Sequence, residues 1–331
     1  MWCITKENYH DYLLGSVFFA TGGGLPPQEH EKMFADLLGK NQHLFVKQCS
    51  EFAPSDILAS VYGVGDPSRV TGRFDVLVEN AIAEYERLTG MRIAGLIPGE
   101  IGSEALAFQA GACRGLAVVD SDLVGGRAAP EIEMDVFNVF SIPITPILAM
   151  DMNGSSFVIS QPISSKEIED RVRSFLRERS NNGVIVGYAI TAGEYGQKGI
   201  PCTLSHTRDV GVFLGRGDIS SAFQLCGAQT IAKEKLISAD LRSGGGFLSG
   251  ILRFENHLIR VKNENIVLEK EGRTVVSAPD LFCVMREDGV PLHNAEIKNH
   301  EGETLSIITV PAQGYWKEEH HRILWKSAIT E

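Results

Sequence analysis

The chain has 331 residues, 44% hydrophobic and 22% charged, the balance of a globular protein able to bury a sizeable core. Its 31 Lys and Arg stand against 42 Asp and Glu, a formal charge of -11 that excludes the basic stripe nucleic acid requires, so no nucleic-acid partner is expected. No apolar run approaches the ~20 residues of a membrane span, and the six scattered cysteines read as reduced thiols with no secretory leader ahead of them, so a cytoplasmic protein is expected.

Residues 5–19 read as a helix with Thr5 as cap, because Tyr9, Tyr12, Leu13 and Val17 recur at helical spacing. Thr21-Gly22-Gly23-Gly24 follows, then a helix from Gln28 to Leu38, started after Pro26-Pro27 and stopped by Gly39. Strands are predicted over 57–63, 93–97 and 116–120, with helices over 75–88 and 104–113 between them. Short apolar strands alternating with helices point to a mostly parallel sheet covered on both faces, whose ligands bind beyond the carboxyl ends of the strands.

From about residue 140 the texture changes. Ile147–Met150 and Phe157–Ile159 flank a hairpin turn at 151–154, Ser165 caps an amphipathic helix to Arg179, and Val184–Ile190 is a buried strand. Helices over 204–214 and 219–224 precede a strand-rich end over 246–254, 257–261, 265–269, 274–277, 281–285 and 304–310, the spacing of an antiparallel domain. The expected architecture is an α/β N-terminal domain (residues 1–162) with a C-terminal domain (163–331), mixed α/β and then β-rich.

The sharpest local signal is Asp120-Ser121-Asp122 with Gly125-Gly126-Arg127 and Pro130-Glu131. An apolar strand ends in two acids, then a flexible pair, an arginine and a third acid. Asp120 and Asp122 alternate along extended chain and so point one way, where like charges raise one pKa or bind a cation. Arg127 could equally neutralise them as a structural network. Glu100, just past a strand end, is either a base or metal ligand or the neighbour of a helix N-terminus. Gly22, Gly23 and Gly24 lie between two helices and match neither the dinucleotide nor the phosphate-loop pattern; they either admit a ligand anion or make a tight connection. Cys202 and His206, four apart, suit a soft metal pair in spacing, with the thiolate favoured at a helix start, although a zinc site would need further ligands and a core thiol is the commoner case.

Jointly and in order, Thr21-Gly22-Gly23-Gly24 with Pro26, Glu100-Ile101-Gly102, Asp120-Ser121-Asp122 with Gly126-Arg127 and Pro130-Glu131, Ile200-Pro201-Cys202-Thr203-Leu204-Ser205, Asn263-Glu264-Asn265 and Ala278-Pro279-Asp280-Leu281 resemble the DUF917 family, which is associated with S-methyl thiohydantoin desulfurase. Cys202 stands where that family has a glycine, and the stretch after Gly102 lacks its second glycine and asparagine. The resemblance implies hydrolytic removal of a thiol from a five-membered hydantoin-like ring, and relatives that sit beside or are fused to hydantoinase or oxoprolinase enzymes. In that reading Asp120 and Asp122 form an acid/base pair, with Glu100 or Glu131 a second base or a ligand of a divalent metal ion. Gly22, Gly23, Gly24, Arg127 and Thr203 bind the small-molecule substrate. The competing readings are a non-catalytic binding or regulatory subunit beside a hydantoinase-type partner, and an oligomeric scaffold; a homo-oligomer is expected in any case.

Overall fold

The computed structural model describes residues 1–40, 43–65, 74–180, 182–244 and 247–330; Gly246, the expected first residue of one strand, lies outside them. In chain order the first part runs β1 (Trp2–Ile4), α1 (Tyr9–Phe19), α2 (Pro27–Gly39), β2 (Leu44–Lys47), β3 (Ile57–Gly65), α3 (Phe74–Thr89), β4 (Ile93–Pro98) and α4 (Ala105–Arg114). It continues with β5 (Ala117–Val119), α5 (Val136–Val139), β6 (Ile147–Asp151), β7 (Ser156–Ile159), α6 (Ser165–Arg177) and β8 (Asn182–Thr191). Three helices follow, α7 (Ala192–Lys198), α8 (Thr203–Gly215) and α9 (Ile219–Cys226). Then come β9 (Gln229–Gly244), β10 (Phe247–Phe254), β11 (His257–Lys262), β12 (Glu264–Lys270), β13 (Arg273–Ser277), β14 (Leu281–Met285), β15 (Thr304–Val310) and α10 (Lys326–Thr330).

The first sheet has the order β1-β2-β5-β4-β3-β8-β6-β7. Its central strands β2, β5, β4 and β3 are parallel, and antiparallel strands flank them. Alternate residues of each central strand go to opposite faces. Ala59, Val61, Leu96 and Val118 join the core under α1 to α4, while Leu58, Ile97, Ala117 and Val119 join a second core that holds Tyr195, Trp316 and Trp325. The sheet continues past residue 162, because β8 inserts between β3 and β6. The second sheet, β13-β12-β11-β10-β9-β15-β14, is antiparallel throughout and encloses a third core around Leu252, Phe282 and Ile307. The expected α/β architecture with a β-rich C-terminal half is therefore present. No helix among the described residues is long and apolar enough to cross a membrane.

Element ends differ locally from expectation. Helix α1 starts four residues late, because the Asn8 side chain accepts from the Thr5 N–H at 2.8 Å and holds residues 5–8 in a turn. Ser164, not Ser165, caps α6 by accepting from Glu167 N. The long β9 lies outside the expected strands: it is half-exposed and its apolar residues are sparse, but it pairs with β10 on one side and β15 on the other.

Candidate active site

The loop after β5 carries the acids that stood out in the sequence, and its backbone turns them apart. Asp120 Oδ1 accepts from Ser205 N at 2.8 Å, its Oδ2 from Ser205 Oγ, and its carbonyl from Cys202 N at 2.7 Å. It therefore docks the N-terminus of α8, where a carboxylate completes the unmet N–H groups. Asp122, fully buried, accepts from the N–H groups of Val124, Gly125 and Gly126 at 3.1, 2.9 and 2.7 Å. Burial pushes its pKa up to about 6, and these three bonds work against that rise. The expectation that the two share one space is not met: Asp120 lines a cleft with Gln48, Cys49 and Cys202, while Asp122 staples its own loop.

Arg127 is buried as well. Its guanidinium donates to the carbonyls of Ala128 and Pro279 at 2.9 and 2.6 Å and lies 4.1 Å over the Trp325 ring. Desolvation lowers its pKa to about 10. Arg127 and Thr203 line a small cavity beside His206; the Thr203 hydroxyl acts on Asp122, and the charges of Glu264, Asp280 and Glu100 act on Arg127. Cys202 stands at φ 62 before α8; burial raises its thiol pKa and the Asp120 charge adds to this, so the thiolate expected at a helix start is not favoured there. His206 packs at a tilt against Phe19, and burial lowers its pKa.

A different group of residues converges. A cavity of about 140 Å³ is walled by β3, β8, the ends of β4 and β12 and the loop at 129–135. Glu100, Glu131, Asp135, Glu264, Tyr62 and Tyr188 all line it, among Leu106, Leu123, Val124 and Ile132. Glu100 Oε2 accepts from Ala129 N at 2.9 Å, and burial, aided by the charges of Asp122 and Glu104, pushes its pKa up to about 8. Glu264 is 2% exposed, and its Oε2 finds no hydrogen-bonding partner. Burial first, and then the charge of Glu100, hold its carboxyl well above the usual range, while Arg127 works in the opposite sense. Two such carboxyls beside one desolvated space resist ionising together. Glu131 lines the same cavity but is committed to Lys262 Nζ at 2.5 Å and Ser327 Oγ at 3.1 Å. Among the described residues no three of His, Cys, Asp and Glu are arranged to hold a metal ion.

The glycine turn has a specific use here. A Cβ at Gly23 would lie 2.0 Å from Glu264 Oε1, so only glycine lets that carboxyl reach the turn, where the Gly24 N–H donates to it. A Cβ at Gly22 would meet the Asn294 amide at 2.5 Å, and Asn294 N and Asn265 N donate to the carbonyls of Gly22 and Thr21, each at 2.8 Å. The group that Gly23 and Gly24 accommodate is thus the chain's own Glu264 carboxyl, while Gly22 makes room for Asn294. In the sequence Glu264 stands out only within the Asn263-Glu264-Asn265 stretch, and Asp135, Tyr62 and Tyr188 carry no signal of their own. The available signal was one acid interrupting the approach to the apolar run Ile266-Val267-Leu268.

In solved structures the chain is similar to a protein from Chromobacterium violaceum determined by X-ray crystallography, at 20% identity and a TM-score of 0.79, over 100% of this chain and 96% of that one. At that identity the likeness carries the fold. No curated protein matches the chain. Residues 7–161 match the S-Me-THD-like N-terminal domain and residues 163–324 the S-Me-THD-like C-terminal domain, so the chain belongs to the S-Me-THD-like family.

Proposed function

We propose that the protein is a hydrolase of S-methyl thiohydantoin-type rings and that Glu100 and Glu264, rather than Asp120 and Asp122, move its protons. The observation that carries this reading is the carboxyl pair at the cavity wall: two buried acids, both pushed up in pKa by burial, one with an unpartnered oxygen and further raised by the charge of the other. Environments that push titratable groups together and up in pKa are those that run acid and base chemistry near neutral pH.

The chemistry balances on this pair. Protonated Glu264 gives its proton to the ring nitrogen doubly bonded to the sulfur-bearing carbon, which makes that carbon electrophilic. Water adds through oxygen, and its proton goes to the Glu100 carboxylate. The tetrahedral carbon then expels sulfur with the C–S bonding electrons. The proton on Glu100 passes to sulfur to complete methanethiol, and the hydroxyl proton returns to Glu264 as the carbonyl forms. Leu106, Leu123, Val124 and Ile132 keep the space apolar, which strengthens each of these interactions.

Release of methanethiol from a 2-methylthio-imidazolone, followed with a thiol reagent, tests the reading. Turnover is expected to rise with pH as Glu100 loses its proton near 8, and E100Q and E264Q are each expected to lower kcat roughly 10²- to 10⁴-fold. A wild-type protein that binds the ring and releases no thiol would point instead to a non-catalytic binding subunit. Retained turnover in the E100Q/E264Q double variant would remove the pair from the mechanism.

A further inference from the structure

Apart from the cavity of the carboxyl pair, a hollow of about 180 Å³ lies between the start of α8 and strands β14 and β15, where Arg127 and His206 stand among Phe19, Leu281, Val310 and Trp316. Two buried nitrogens of these residues have no hydrogen-bonding partner, Arg127 Nη2 and His206 Nε2. Arg127 is 1% exposed and spends Nε and Nη1 on the carbonyls of Ala128 and Pro279, which leaves one nitrogen of its fork unmet. Among the described residues its guanidinium donates to backbone carbonyls alone. The acids whose charges act on it are committed elsewhere. Asp280 holds Arg322 at 2.6 Å and Ala312 N at 2.9 Å, and Glu100 and Glu264 line the other cavity. A buried cation with an unmet donor and no carboxylate in contact is costly, and a fold keeps one where a ligand completes it.

We propose that this hollow is a second ligand site and takes a small monocarboxylate with an apolar body, one carboxylate oxygen accepting from Arg127 Nη2 and the other from His206 Nε2. A guanidinium with a single free nitrogen does not clasp a phosphate or sulfate as an open fork does, so a monoanion fits the donor set better than a dianion. The neutral imidazole supplies the second donor in the tautomer that carries its proton on Nε2. Phe19, Leu281, Val310 and Trp316 give the carbon body an apolar bed. A cavity of about 150 Å³ accepts a benzene ring, which sets the ligand at the size of benzoate or smaller. Entry is from the rim, where Pro201 is exposed and Cys202 and Gln313 are half-buried. No residue lines both this hollow and the cavity of Glu100 and Glu264, so the ligand is a molecule other than the ring. The inference therefore holds whether or not the protein is a hydrolase.

Sodium propionate and sodium benzoate, each against its neutral amide, are titrated into the whole chain by calorimetry, with chloride holding the ionic strength constant. Wild type is expected to bind at least one of the acids roughly 10- to 100-fold more tightly than its amide, the range that charge-assisted hydrogen bonds supply. R127M keeps an apolar stem under Trp325 without the charge and should abolish the preference for the acid. Arg127 is buried and its loss can unfold the chain, so His206, half-buried on α8, supplies the second arm. H206L removes the donor and should weaken the acid about 10-fold while leaving the amide as it was. A wild type that binds neither acid, or binds acid and amide alike, overturns the inference. So does a preference that survives in H206L or in a folded R127M, and so does an equal weakening of acid and amide in H206L, which a merely structural histidine would give. Thiol release from the ring is measured apart, and its failure leaves this site standing.

Discussion

Asp122 shows why a pair of acids two residues apart is a poor guide to their common use. One backbone turn separates a carboxylate that holds three N–H groups of its own loop from one that reaches Ser205 on α8. Each acid is held in a different place. D122N leaves a donor facing donors, and about 1–3 kcal/mol of stability should go with it. Because the same loop carries the Ala129 N–H that holds Glu100, turnover should fall with it. D120N keeps an oxygen for the Ser205 N–H and should stay within a few-fold of wild type. Thermal midpoints and kcat/KM measured on both variants check this. A D120N loss as deep as that of E100Q would restore Asp120 to the chemistry.

At the scale of elements, the packing of α1 on α8 depends on two glycines. A Cβ at Gly15 would lie 1.9 Å from the Thr207 carbonyl oxygen, and one at Gly211 1.8 Å from the Asp11 carbonyl oxygen, so the helix backbones touch. G15A should cost about 1–3 kcal/mol by overpacking, whereas G39A at the end of α2, with open space around it, should be near neutral. Equal midpoints for the two in a melting comparison would show that the crossing relaxes freely. Neither contact was legible in the chain, since a close approach joins residues almost two hundred positions apart. What could be read was periodicity. Apolar runs such as 93–97 and 184–190 fall on β4 and β8, and the dense turns after 270 fall between β12 and β15. Glu100 was legible because it follows a strand end in an α/β pattern. Glu264 was not, because its partner is set by how the second sheet folds back onto the glycine turn.

Over the whole molecule the cavity sits where the two sheets meet, behind a loop that the C-terminal segment holds. Trp316 Nε1 donates to the Val124 carbonyl at 2.6 Å, Tyr315 to that of Leu123 at 3.1 Å, and Trp325 covers Arg127, so the acid-bearing loop is clasped from the far end of the chain. This clasp excludes water, and the cost falls on the buried ionisable groups. Burial raises Glu100 to about 8, Glu104 to about 7, and Asp122 and Asp135 each to about 6, with Glu264 higher still than its usual range. From the ordinary carboxyl range up to about pH 8 the unfolded chain gives up protons that the folded chain keeps, so stability falls as pH rises through that window. Histidines act in the opposite sense. His30, lowered to about 3 by burial, and His206 and His293, also lowered, stay neutral when folded, so below about 6.5 the unfolded chain takes protons they refuse and stability falls as pH drops. Five raised carboxyls outweigh three lowered imidazoles where the two limbs overlap, so the net slope between pH 6 and 8 is downward. The thermal midpoint of the wild type should therefore drop by several degrees from pH 6 to pH 8, on the order of what a few kcal/mol produce in a chain this size. E264Q removes one of the protons at issue and should flatten the alkaline limb while leaving the acid limb in place. A wild-type midpoint that climbs from pH 6 to 8 would mean that these carboxyls are ionised in the folded protein, and the proton on which the proposed hydrolysis depends would be missing.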